Sequence, residues 1–157
     1  MSMIANLLGT VKEKTGVICI GLERKIAKMA HTPGETVEDI LGWDVVMRAQ
    51  DGVCYEYYVA QPPLIGMSHP QPVRCPLGIV PFDDYKIDID EAIKIFHSRE
   101  GHEGFLEVSL SWPLTHPDAP EPYWYFRTLN GVVIIGAISG QIKGFPNIRL
   151  LYMGAHH

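Results

Sequence analysis

Between residues 43 and 60, two runs rich in Val, Tyr and Trp flank Gln50-Asp51-Gly52. Asp-Gly between such runs is a strong hairpin signal, because a type I′ turn needs positive φ at both central residues. Residues 43–49 and 53–60 are therefore expected as paired antiparallel strands. Asn130-Gly131 gives the same signal between 123–129 and 132–138. Leu106, Val108, Leu110 and Trp112 alternate with Glu107, Ser109 and Ser111, the pattern of a strand with one buried face. Residues 132–138 are apolar on both faces and read as a central strand, and 147–153 read as a last one.

Helical periodicity is expected in four places. Ile4, Leu7, Leu8 and Val11 predict an amphipathic helix over 3–14, with Gly16 as its stop. Leu22, Ile26, Met29 and Ala30 trace a second helical face, ended by His31-Thr32-Pro33-Gly34. Thr36 with Asp39 resembles the cap of a short helix through Leu41. Asp88 caps a helix over 89–99, whose Ile89, Ala92, Ile93 and Phe96 share one stripe. The fold class that follows is α+β, with helices packed on a mostly antiparallel sheet. A chain of 157 residues with 46% hydrophobic residues fits a single domain, 1–157. The order helix, strand, turn, strand recurs, so two related helix-plus-meander units, 1–81 and 82–157, are a further expectation.

A formal net charge of −5 disfavours nucleic acid, whose binding draws on clustered Lys and Arg. The tightest basic group, Lys12, Lys14, Arg24, Lys25 and Lys28, reads as a solvated helix face. No apolar run is long enough to span a bilayer as a helix, and no signal-peptide pattern opens the chain, so no membrane association is expected. Three cysteines without short-range spacing fit a reducing compartment more than a disulfide scaffold, and the expected location is cytoplasmic.

The search for chemistry finds no catalytic motif. His97 and His102 are five apart, which places them on different helical faces, and no His-Glu-x-x-His or Cys-x-x-Cys is present, so no metal site is assigned. Cys54 reads as a core residue, and Cys75 as the one candidate thiol nucleophile, without an adjacent base. Asp83, Asp84, Asp88, Asp90 and Glu91 suit a helix N-terminus. No phosphate-binding glycine loop occurs, and no cofactor is expected.

Asp90-Glu91-Ala92-Ile93, then Tyr123-Trp124-Tyr125-Phe126, then Gly136-Ala137-Ile138-Ser139-Gly140-Gln141-Ile142 together resemble the PepSY-like domains over about residues 88–143. Gly136 stands where that family has Asp, and Ser139 where it usually has Thr. The resemblance implies a helix packed on an antiparallel meander, a topology also seen in small bacterial immunity proteins and inhibitors. It further implies protein binding without catalytic residues.

The tyrosines carry the binding expectation. Tyr55 and Tyr57 share a face opposite Tyr58, and Trp124 and Phe126 share one opposite Tyr123 and Tyr125. Six of the twelve prolines fall in 61–81, a segment long enough to serve as a functional loop. The leading reading is a non-catalytic protein-binding module of inhibitor or immunity type, steered by its acidic charge toward a basic partner. Its expected contacts are Tyr57, His69, Pro70, Trp112, Tyr123 and Tyr125. Two alternatives stand beside it. One is a small enzyme or ligand-binding protein with a pocket between sheet and helix, using His69, Cys75, His97 and Asp84. The other is a homodimeric structural subunit joined through an edge strand or the aromatic face.

Overall fold

The computed structural model describes residues 3–99, 103–114 and 120–143. The expected last strand over 147–153 and His102 lie outside the described residues. The chain runs α1 (Met3–Thr15), β1 (Cys19–Met29), a 3-10 turn (Val37–Asp39), β2 (Ile40–Ala49), β3 (Cys54–Ala60), β4 (Gln71–Val73) and β5 (Ile79–Val80). It continues through α2 (Ile89–Ser98), β6 (Glu107–Pro113), β7 (Tyr123–Thr128), β8 (Gly131–Gly136) and β9 (Ile142–Lys143).

The strands form one antiparallel sheet in the order β4-β3-β2-β1-β6-β7-β8-β9, with β5 paired to the end of β6. The first strand after each helix, β1 and β6, meet at the centre through Arg24 and Ser111, Lys25 and Leu110, and Ile26 and Ser109. Four strands thus extend to each side of this pairing.

The α+β expectation is corrected. Among the described residues strands make up 44% and helices 18%, so the fold is β-rich, and the helical part described is two short helices of 13 and 10 residues. One of the four expected helices is sheet, and another is no more than a single 3-10 turn. Residues 22–29 belong to β1, which is hydrogen-bonded on both sides by β2 and β6. A strand flanked on both edges carries apolar residues on its core face and also on its half-buried outer face, where Ile26 lies, so Leu22, Ile26 and Met29 happen to fall at helical spacing. A bulge between Leu22 and Arg24 further breaks the period of two, because Glu23 is the extra residue. The helix expected through Leu41 is only the 3-10 turn, after which Ile40 enters β2.

Both expected hairpins form, the second with its turn one residue earlier than expected. Gly52 takes φ 89 between β2 and β3, but Asp51 does not share a positive φ, so the turn is not the type I′ expected. Between β7 and β8 the turn is Leu129-Asn130, and Gly131, at φ 135, opens β8 opposite Thr128. Helix α2 starts at its expected Asp88 cap, whose carboxylate accepts the Ile89 N–H.

The main core lies on one face of the sheet. Ile4 and Val11 of α1, and Ile89, Ala92, Ile93 and Phe96 of α2, pack with Trp43, Val45, Met47, Tyr57, Leu110, Trp124, Phe126 and Ile135. Phe96 stacks on Phe126 at 4.7 Å and meets Phe105 edge-on at 5.7 Å. The chain after β8 is held by Glu121. Its carboxylate accepts from the Ile138 and Ser139 N–H groups and the Ser139 hydroxyl, and pairs with Lys143 at 3.4 Å. Burial alone would raise the pKa of Glu121, but these hydrogen bonds outweigh it and hold the carboxyl below its usual range. A Cβ on Gly136 would stand 2.5 Å from that carboxylate, which is why glycine occupies the position.

Candidate functional site

Because the core helices share one face, the other face carries a row of side chains across five strands. The pairings run Tyr58 to Asp44, Asp44 to Ile26, Ile26 to Ser109, and Ser109 to Tyr125. At about 4.8 Å per strand the row spans about 19 Å. All five residues are half-buried. Burial pushes the Tyr125 hydroxyl up to about 12, so it stays protonated and able to donate a hydrogen bond. The next row on this face holds Glu56, Val46, Arg24, Ser111 and Tyr123. Beside it the buried carboxylate of Glu23 pairs with Arg48 at 2.6 Å. Desolvation raises the Glu23 pKa, and Arg48 opposes that rise.

The structure separates the contact residues expected from sequence. Tyr57 points to the helices and is 2% exposed, so it is core and not contact surface. Tyr123 and Tyr125 do share the helix-free face, but Tyr123 is fully buried in a second, small cluster with Val132 and Ile134. Trp112 is half-buried against the main core and meets Phe82 edge-on at 6.4 Å. Pro70 is buried and His69 exposed, just before β4. Of the row, Tyr58, Asp44, Ile26 and Ser109 were missed. Alternation shows which side chains share a face, but not which face the helices leave open.

The four polar groups expected for a small enzyme do not converge either. Cys75 is no free nucleophile, because it forms a disulfide with Cys54. That bond also corrects the expectation of unpaired cysteines, and among the described residues Cys19 alone is free, and buried. Asp84 accepts the Tyr85 N–H beside it. His97 lies 2.6 Å from the Glu35 carbonyl, in an open groove of about 630 Å³ between the 3-10 turn and α2.

A different residue occupies the space between helices and sheet. Lys25, expected on a solvated helix face, is a β1 residue opposite Val45 and Leu110 and is 8% exposed. Its ammonium lies 4.4 Å from the Trp43 ring centroid, 5.3 Å from that of Trp124 and 5.7 Å from that of Tyr85. It donates a 3.3 Å hydrogen bond to the Tyr85 hydroxyl. A cleft of about 320 Å³ opens beside it, lined also by Asn6, Leu7, Gln61 and Asp88. The salt bridges among the described residues leave Lys25 out. Desolvation lowers its pKa to about 8, against a smaller opposing pull from Asp88.

This burial has a signed consequence for stability. Between pH 8 and 10.5 the unfolded chain binds the Lys25 proton and the folded chain releases it, so this group makes stability rise with pH across that window. Below pH 8 the full cost of the buried charge is present. Replacing Lys25→Met removes that cost, roughly 3 kcal/mol from the depression, and forfeits about 1–2 kcal/mol by leaving the buried Tyr85 hydroxyl without its Lys25 partner. The expected net at pH 7 is a gain of about 1–2 kcal/mol, seen as a Tm higher by roughly 2–8 °C. The gain shrinks as pH rises from 8 toward 10.5. Thermal melts across that range check it, and a variant less stable at pH 7 than at pH 10, relative to wild type, would refute it.

Among the described residues no helix is long and apolar enough to cross a membrane. Comparison with family models, with curated proteins and with solved structures yields no match.

Proposed function

We propose that the protein is a non-catalytic protein-binding module whose contact surface is the helix-free face of the sheet. The observation that carries this reading is the row Tyr58, Asp44, Ile26, Ser109 and Tyr125, half-exposed across five strands. Tyrosines offer a partner large contact area at low entropic cost. A rigid sheet holds them in place without further ordering. Arg24 and Glu56 in the adjoining row supply charges of both signs, and the net charge of −5 steers association toward a basic partner. The inhibitor or immunity-type role implied by the PepSY-like motifs is consistent with such a face. The Cys54–Cys75 bond favours a compartment that keeps disulfides oxidised over a reducing cytoplasm.

The test is co-purification from native lysate with wild type and with a Tyr58→Ala/Tyr125→Ala double variant. Truncating two half-buried aromatics at an interface centre is expected to weaken binding by about 2–4 kcal/mol, enough to lose the partner on washing. A partner held equally by wild type and by a folded double variant would place the interface elsewhere.

A further inference from the structure

The cleft at Lys25 is independent of the sheet's open face and lies on the opposite side. We propose that it binds a small monocarboxylate with a planar, apolar body. A buried ammonium is ordinarily matched by a carboxylate, and here the salt bridges among the described residues do not include Lys25. A ligand carboxylate placed at Nζ completes the pair. The rings of Trp43, Tyr85 and Trp124 surround Nζ, and Trp43 and Tyr85 line the cleft itself with Leu7, so the body that fits is flat and apolar. The volume of about 320 Å³ sits at the small end of ligand-holding clefts, which run from about 300 to 1,000 Å³.

The charge of the ligand follows from the groups facing the site. Lys25 is the single cation lining the cleft, and Asp88 places a carboxylate at its edge. A monoanion pairs with this one cation, whereas the second charge of a dianion such as a phosphate monoester has no further cation in the lining to meet it. Two neutral amides, Asn6 and Gln61, complete the polar lining. The Gln61 amide oxygen already accepts from the Trp43 indole N–H at 2.7 Å, which leaves its NH2 as a donor for the second carboxylate oxygen. Tyr85, whose hydroxyl is held protonated by burial, is bonded to the ammonium and orients it.

The experiment titrates the full chain with benzoate, phenylacetate and 3-phenylpropionate, each beside its neutral primary amide, following the Trp43 and Trp124 indole N–H resonances. At least one acid is expected to saturate, and to bind about tenfold or more tighter than its amide. Because Lys25 loses its proton near pH 8, that acid is expected to bind about tenfold more weakly at pH 9 than at pH 7. Lys25→Met, checked for folding by its melt, abolishes the preference for the acid, while Lys12→Met on the exposed surface of α1 leaves it intact. Acid and amide binding equally, an acid preference that survives in folded Lys25→Met, or no saturable binding by any of the three acids would each overturn the proposal.

Discussion

Trp124→Ala is expected to cost about 3–5 kcal/mol, a large fraction of the roughly 5–15 kcal/mol that holds a domain folded. Trp124 is fully buried on β7, with β6 on one side and β8 on the other. Its ring meets Trp43 at 5.8 Å and Tyr85 at 6.0 Å, and its indole N–H donates a 2.7 Å hydrogen bond to the Ile87 carbonyl. Alanine empties the space between the sheet and the start of α2, and leaves that carbonyl without its partner. It also strips one of the three rings from around Lys25, so the buried charge becomes costlier. Urea unfolding is expected to show a lower midpoint at unchanged slope. Trp124→Phe keeps most of the ring and should lose only about 1–2 kcal/mol. A loss below about 1 kcal/mol in the alanine variant would mean that this position does not anchor the core.

The double replacement Cys54→Ala/Cys75→Ala is expected to cost about 3 kcal/mol, because the bond closes a loop with a sequence separation of 21. The closed loop holds most of the proline-rich segment, and the bond ties β3 to the residues just beyond β4. β4 is only three residues long and forms one edge of the sheet, so little else fixes it. Amide exchange should therefore rise first in 61–81 and leave the β1–β6 centre protected. A thiol reductant should lower the stability of wild type to that of the double variant and leave the variant itself unchanged. Equal stability of wild type with and without reductant would contradict the assigned bond.

The parts of this fold that were legible share one property, a local signal that agrees with its tertiary setting. Asp51-Gly52 specifies its hairpin through turn chemistry alone, and the Asp88 cap with the Ile89, Ala92, Ile93 and Phe96 stripe specifies α2. The alternation from Leu106 to Trp112 specifies β6, because one of its faces is core and the other is not. β1 was illegible for the opposite reason. It is central, bulged at Glu23 and carries the apolar Ile26 on its half-buried outer face, so its sequence lacks the period of two. The misread strand concealed the site as well. Once 22–30 is taken for a helix, Lys25 becomes one more solvated charge. Only the pairing of β1 with both β2 and β6 brings it beneath Trp43 and Trp124. The same pairing aligns Ile26 between Asp44 and Ser109 on the other face. Cys54 and Cys75 carried no spacing signal, because a separation of 21 is compatible with any arrangement of the loop between them.

The central claim is that partners meet the helix-free face of the sheet and not its helices. It is tested most directly by site-specific photo-crosslinking in cells, with a benzophenone side chain placed at Ile26, in the middle of the row, and in a second variant at Lys94, exposed on α2. The expected result is a discrete protein adduct from position 26, lost on adding Tyr58→Ala and Tyr125→Ala, and none from position 94. An adduct from position 94 alone, or none from position 26, would contradict the account.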